Sequence, residues 1–392
     1  MKDLIEREHE VIYQTYQRFP LVVERALGSY LYDNQGNEYL DCLAGIAVNA
    51  LGHSHPAILK AINEQSQKYL HISNYFYQEP QILLAEKLIE LSGMSKVFLC
   101  NSGTEATEGA IKLSRKWGHK QGKLNIYGFA GGFHGRSYGA LSVMDKPNYK
   151  IDMGPYLDNF KVLPLNQIEY LYENINSQTA AIILEFVQGE GGIATPDKEF
   201  IDVLLELKHI HNFLIIADEV QCGTGRTGKY FGFENFGVKP DIITTAKGMG
   251  GGLPLGSIIV SEELSQVWQK GNHGTTYGGN ALACVTGMAV INELENGLLK
   301  EVVEKGTYLK LKLEDLQTKY PEQIKEIRGI GLMLGLLMNY ESKIIVDKLF
   351  DKKVITNAAS GYVLRIVPPL TISLAEIDIF INKLNETLSE LN

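Results

Sequence analysis

Short apolar runs rich in β-branched residues punctuate the chain: KVFLC (96–100), KLNIYGF (123–129), AAIILEF (180–186), FLIIAD (213–218), DIITT (241–245) and GSIIV (256–260). They are near-continuous, not alternating, which is the pattern of strands covered on both faces. Helical stretches lie between them. In 104–117, Ala106, Ala110, Leu113 and Trp117 recur at spacings of 4, 3 and 4, an apolar stripe down one helix face. A second helix is predicted over 197–211, opened by Thr195-Pro-Asp, and a third over 56–69. Strands alternating with helices predict an α/β fold whose large domain has a mostly parallel sheet flanked by helices.

Beyond residue 290 the pattern changes to a long charged helix (297–319), a Gly-rich strand (329–338) and an amphipathic helix from Ser373. A smaller α+β domain is expected there. The first 40 residues carry a hairpin signal, GSYLYDNQGNEYLD, with Asn34-Gln-Gly-Asn as the turn. The expected division is 1–55, an N-terminal segment packing with the small domain, then 56–290 as the large domain and 291–392 as the small one.

Length agrees with this, since 392 residues suit two or three domains at roughly 100–200 residues each. Glycine is frequent, 39 residues, so tight turns and ligand loops are expected. Lys and Arg number 37 against 46 Asp and Glu, a formal charge of −9. That sign disfavours nucleic acid as a partner. Cys42, Cys100, Cys222 and Cys284 form no CxxC pair and are read as reduced thiols. MKDLIEREHEVIYQTYQRF lacks the apolar core of a secretion signal. GIGLMLGLLM (329–338) falls short of the roughly 18 apolar residues that cross a bilayer. A soluble, cytoplasmic protein with no membrane partner is expected.

Candidate chemistry concentrates in FLIIADEVQCGTGRTGKYFGFENFGVKPDIITTAKGMGGGLPLG (213–256). One apolar strand ends at Asp218-Glu219, and Lys247 follows another 29 residues later. Ligands of open α/β sheets sit outside the carboxyl ends of the strands, so both side chains could share one crevice. A lysine amine and a carboxylate so placed suit pyridoxal phosphate: the amine forms a Schiff base, and the acid keeps the pyridine nitrogen protonated. In NSGTEATEG, a strand ends just before a helix predicted to open at Thr104, and Gly103 allows close backbone approach. That is an anion site at a helix N-terminus. GGFHGRSYG offers Phe133 as a plate and Arg136 as a carboxylate fork, and Arg365 in VLRIVPPL is a second fork. Taken singly, the Ser102–Thr104 turn reads more readily as a helix cap and Arg136 as a surface arginine, while Arg365 reads as well as an intradomain ion pair.

Three alternatives compete. Gly223-Thr-Gly-Arg-Thr-Gly matches the dinucleotide fingerprint of an NAD-dependent oxidoreductase, yet KYFGFENFG after it has no helical period. His53/His55 and His209/His211 resemble metal pairs, but the first reads as a turn and the second falls on a helix, where i and i+2 do not share a face; no metal is expected. A non-catalytic protein on the same scaffold would be signalled by loss of the lysine or the acid, and both are present.

Taken together, the chain resembles the class-III, fold-type-I pyridoxal-phosphate aminotransferases, and within them the acetylornithine branch. The likeness runs through YLDCLAGIAVNALGHSHP (39–56), FLCNSGTEATEGAIKLSRKW (98–117), GGFHGRSYGALS (131–142), QGEGG (188–192), ADEVQCGTGRTGKYFGFE (217–234), AKGMGGGLPLGS (246–257), HGTTYGGNALA (273–283) and LRIVPPLTIS (364–373). The resemblance implies pyridoxal 5′-phosphate as cofactor, small amino acids and 2-oxo acids as substrates, and a homodimer with its active site at the subunit interface. It implies Lys247 as the Schiff-base lysine, Asp218 on the pyridine nitrogen, Phe133 and Val220 around the ring, and Gln221 on its phenolic oxygen. Ser102, Gly103 and Thr104 would hold the phosphate, joined by Thr276 from the neighbouring subunit, with Thr275 near the substrate. Arg136 and Arg365 would bind substrate carboxylates, with Glu190 as a switch on Arg365. The implied reaction moves the δ-amino group of N2-acetyl-L-ornithine to 2-oxoglutarate; ornithine, succinyl-diaminopimelate and 4-aminobutyrate are the alternative donors.

Overall fold

In the computed structural model, which describes residues 3–391, each of the six apolar runs forms a strand. The strands in chain order are β1 (Val23–Leu27), β2 (Tyr30–Asp33), β3 (Glu38–Asp41), β4 (Lys96–Cys100), β5 (Asn125–Phe129), β6 (Phe160–Leu163), β7 (Thr179–Leu184), β8 (Leu214–Asp218), β9 (Ile242–Thr245), β10 (Gly256–Val260), β11 (Ile324–Ile330), β12 (Met333–Met338), β13 (Val354–Ile355), β14 (Asn357–Ala359) and β15 (Val363–Ile366). A seven-stranded sheet runs β4-β10-β9-β8-β7-β5-β6. Its pairings are parallel except at β10, which runs antiparallel to both β4 and β9. Every residue of β7, β8, β9 and β10 is buried, as continuous apolar runs require, and each fully covered Ile or Leu contributes roughly 1.5–3 kcal/mol.

Two strands differ from the expectation. KVFLC is an edge strand in which only Cys100 is fully buried; an apolar run does not distinguish an edge from a centre. At the other edge, β6 (FKVL) has too few apolar residues to stand out in the sequence.

Helix Gly103–His119 packs Ala106, Ala110, Leu113 and Trp117 against this sheet, as the periodicity predicts. It opens one residue earlier than expected, because the Ser102 hydroxyl accepts from Glu105 N at 3.2 Å and caps it. Helices Pro56–Ser66 and Lys198–His211 match their predicted segments closely.

The remaining strands make two four-stranded sheets, β1-β2-β3-β13 and β11-β12-β15-β14. In the first, Leu40 and Asp41 pair in parallel with Val354 and Ile355, so the two ends of the chain share one sheet. In the second, the segment 329–338, predicted as one strand, is a hairpin turn and its outgoing strand. Gly329 and Gly331 adopt φ of 100° and 60° and reverse the chain between β11 and β12. Helices Leu299–Lys319 and Leu374–Glu390 pack together over these strands. Among the described residues no helix is long and apolar enough to cross a membrane.

Candidate active site

The carboxyl ends of β4, β5, β7, β8 and β9 lie on one side of the large sheet, and each delivers a polar group just past its last apolar residue. Asp218, the final residue of β8, is only 2% exposed. Its Oδ2 lies 2.7 Å from His134 Nδ1, and its Oδ1 accepts Val220 N at 3.1 Å. Beyond β7, Glu185 Oε2 accepts Phe133 N at 2.8 Å and Oε1 accepts Gly189 N at 3.2 Å. Burial pushes the Glu185 carboxyl up to about 7, although His134 opposes this. For His134, burial acts against the cation, and the adjoining Asp218 more than offsets it, so the imidazole is held above its ordinary value.

Lys247 directly follows β9 and Ala246 with φ of 46°, a left-handed backbone that costs a side-chain-bearing residue roughly 1 kcal/mol or more. Its ammonium is held below the ordinary value by burial first and by Arg365 second, with Glu185, Glu190 and Asp218 working the other way. A neutral, nucleophilic amine is thereby easier to reach.

These groups line a cavity of about 350 Å³. Ser102, Gly103, Thr104, Phe133, Asp218, Val220, Gln221 and Lys247 all border it. The backbone is close-fitting there: a Cβ on Gly103 would come within 2.7 Å of Val220 Cγ1, and one on Gly135 within 2.7 Å of Thr104 Oγ1. A flat ring with a protonated nitrogen, an aldehyde and a phosphate finds its counterparts here. Asp218 suits the nitrogen, Phe133 and Val220 the faces, Lys247 the aldehyde, and the N–H groups at the start of helix Gly103–His119 the phosphate.

Arg365, on β15, lies beside this cavity, not on its wall. Its Nη1 donates to Glu190 Oε1 at 2.5 Å, Gln221 Oε1 at 3.2 Å and Gly189 O at 3.2 Å, while Nε donates to Asn357 Oδ1 at 3.0 Å. Burial raises the Glu190 carboxyl, but Arg365, with Lys247 and Lys146 behind it, holds it below the ordinary carboxylate value. Arg136 is exposed, its guanidinium 3.6 Å from the Tyr149 ring centroid and 5.7 Å from that of Phe133. Thr275 and Thr276 border a separate cavity of about 640 Å³; Thr275 Oγ1 accepts from Asn101 Nδ2 at 3.1 Å.

His134, Glu185 and Tyr149 escaped the sequence reading. A carboxylate closing the apolar run AAIILEF was the available signal for Glu185, and His134 lies between Phe133 and Arg136 in a segment already singled out. The competing motifs have ordinary explanations. His53 Nε2 lies 2.8 Å from Asp41 Oδ2, and His55 Nδ1 accepts from Ala57 N. No group of three or more metal-ligating side chains occurs among the described residues. The Gly223–Gly228 loop leads into a single 3-10 stretch, Gly232–Phe236, not the helix a dinucleotide fingerprint opens.

The family model for class-III aminotransferases matches residues 11–388. The acetylornithine aminotransferase of Methanocaldococcus jannaschii is 45% identical over 99% of this chain and 98% of its own. Among solved structures, the N-acetylornithine aminotransferase of Stenotrophomonas maltophilia is 32% identical with a TM-score of 0.84, covering 99% of both chains. An ornithine aminotransferase from Toxoplasma gondii, described with partial occupancy of PLP at its active site, is 27% identical with a TM-score of 0.94, covering 98% of this chain and 93% of that one. The cavity's fit to pyridoxal phosphate and these full-length likenesses agree: the chain belongs to the class-III aminotransferases, a family of pyridoxal-phosphate-dependent enzymes.

Proposed function

We propose that this enzyme transfers the δ-amino group of N2-acetyl-L-ornithine to 2-oxoglutarate, yielding N-acetyl-L-glutamate 5-semialdehyde and L-glutamate, a step of arginine biosynthesis. The observation that carries the proposal is the Arg365–Glu190 pair at 2.5 Å beside the cofactor cavity, and the name of the M. jannaschii relative supports the choice of donor. The two substrates differ at one point. Glutamate brings an α-carboxylate close to its reacting amine, and acetylornithine brings none. A buried arginine left without a partner is unfavourable. Glu190 therefore pairs with Arg365 while the amine donor is bound and yields it to the glutamate α-carboxylate in the second half-reaction. Arg136 takes the remaining carboxylate of either substrate.

Bound pyridoxal phosphate supplies an aldehyde that takes up the amino group and a ring that withdraws electrons from the substrate carbon. Asp218 holds a proton on the ring nitrogen, and the Nδ1–H of His134 fixes the orientation of that carboxylate. Lys247 would hold the cofactor's aldehyde and, as an amine that burial makes easy to deprotonate, would serve as the general base and acid that moves the proton at the reacting carbon. Gln221 orients the phenolic oxygen, while Ser102, Gly103 and Thr104 hold the phosphate. The two half-reactions share one site and give ping-pong kinetics.

We further infer a homodimer in which Thr276 reaches the partner's cofactor phosphate and Thr275 lies near its substrate. Supporting this, Thr276 is exposed, and so are the neighbouring aromatics Tyr75, Phe76, Tyr77 and Tyr277. We assign the enzyme to the cytoplasm, in keeping with four free, buried thiols. The test is a coupled assay on cofactor-loaded protein with N-acetylornithine, ornithine, 4-aminobutyrate and succinyl-diaminopimelate as donors. Highest kcat/KM for N-acetylornithine is the expected outcome, and a clear preference for another donor would overturn the substrate assignment while leaving the family intact.

A further inference from the structure

Arg226 has no part in the chemistry above, yet it is among the most deeply buried side chains, 2% exposed. It sits on the loop that follows Asp218, Val220 and Gln221. A guanidinium buried there is costly unless its N–H groups are satisfied. Among the described residues no carboxylate forms an ion pair with it, and burial is the sole influence on its charge. Its Nη1 donates instead to two backbone carbonyls, Leu332 O at 3.3 Å and Pro368 O at shorter range. The Arg226 carbonyl accepts Leu332 N at 3.0 Å in return.

Both acceptors lie at one end of the strand that carries Arg365, the end where β12 enters the sheet and β15 leaves it. Leu332 is in the turn leading into β12, where Gly335 is the register partner of Arg365. Pro368 lies three residues beyond Arg365 on the exit from β15. The fit is close as well: a Cβ on Gly331 would lie 2.8 Å from Arg226 O. An apolar side chain would fill this volume without desolvating a charge. What the guanidinium adds is one rigid donor group that reaches two points of the small sheet at once.

We propose that Arg226 is a positioning residue for the carboxylate fork: it fastens the β11–β12 turn and the exit of β15 to the loop bearing Asp218 and Gln221, and so fixes Arg365 relative to the cofactor cavity. This rests on the reading of Arg365 as the α-carboxylate site. Misplacing a substrate-binding group by a fraction of an ångström weakens the substrate that uses it and spares the one that does not.

The experiment compares R226M, R226K and R365K with the wild-type holoenzyme. It measures KM and kcat for N-acetylornithine and glutamate separately, the Kd of glutarate, a dicarboxylate with no amino or oxo group to react, and the absorbance of bound cofactor. R226M is expected to raise the glutamate KM and glutarate Kd about tenfold, with the N-acetylornithine KM moved less than about twofold and the cofactor spectrum unchanged. R226K should recover part of the loss. Equal changes for both substrates, or a lowered Tm with both KM values unmoved, would overturn the proposal. Should R226M fail to fold, R226K takes its place, since its ammonium, on a shorter and more flexible stem, holds the two carbonyls less rigidly than the guanidinium; a selective glutamate shift of about threefold is then expected, and its absence counts against the proposal. R365K separates the two readings. If R365K leaves the glutamate KM unchanged, the assignment of Arg365 fails; if R365K raises it and R226M does not, only the role of Arg226 fails.

Discussion

Among the described residues, Glu190 is the one carboxylate that pairs with Arg365, and its titration sets the range over which that pairing holds. Because its folded value lies below the ordinary one, the pair is fully present above the usual carboxylate pKa and is lost only as pH falls through the lowered value. E190Q removes the competing charge and should raise the ratio of kcat/KM for glutamate to that for N-acetylornithine by about tenfold at neutral pH, equivalent to about 1.4 kcal/mol, as read from single half-reactions. Glu219 behaves oppositely. It is fully buried, accepts Gly232 N at 2.6 Å and Phe233 N at 2.9 Å, and burial pushes it up to about 7. A carboxyl raised on folding binds its proton more tightly in the native state, so its contribution weakens as pH rises from about 4.5 to 7. E219Q should lose that slope: relative to wild type, its stability in urea titrations should improve by on the order of 2–3 kcal/mol between pH 5 and 8. The candidate pair Asp218 and Lys247, which the fold brings to one cavity, was legible in the sequence because each polar residue ends or follows an apolar run. His134 was not, since nothing local says that its ring meets Asp218, 84 positions away.

At the level of elements, the site is assembled by strand ends and the turn after each. The loop from Cys100 to Gly103 shows how little freedom remains: the helix cap, the proposed phosphate donors and the seat of Val220 are within four residues. G103A places a methyl 2.7 Å from Val220 Cγ1 and should push that side chain into the ring's position. Cofactor affinity is expected to fall about tenfold or more, measured by pyridoxal-phosphate release, with the Tm of the cofactor-free protein little changed. The buried strands could be read from the chain because continuous apolar runs have few other uses. The edges could not. β6 is short and half-covered, and β4 has the same composition as a central strand although only one of its sides is paired. The hairpin at 329–338 was hidden because apolar residues continue across the turn, and only Gly329 and Gly331, through their positive φ, mark the reversal.

For the whole molecule, the homodimer proposed above would bring Thr275 and Thr276 of one copy toward the cofactor cavity of the other. Thr275 and Thr276 lie at a cavity separate from that of Lys247; Tyr75, which borders the same cavity, is 93% exposed, and Tyr77, two residues on, is 99% exposed. Large aromatics exposed together in this way mark an interaction surface. Y77E should shift sedimentation from dimer toward monomer and lower cofactor occupancy with it, and a variant that remains dimeric with full occupancy would argue against this face as the interface. An interface of that kind would have no local signature in a single chain, because the residues meeting across it would belong to different molecules.

The sheet that joins β3 to β13 has a consequence for how the protein is made. Lys353 Nζ reaches Tyr39 OH at 2.8 Å across 314 positions of sequence, and Leu40 pairs with Val354. At roughly 5–20 residues per second on the ribosome, the early hairpin emerges on the order of 15–60 seconds before its partner strand exists. During that time the outer edge of β3 is an open template for any passing strand. Nascent chains stalled before residue 350 should therefore engage holdase chaperones that the finished enzyme ignores.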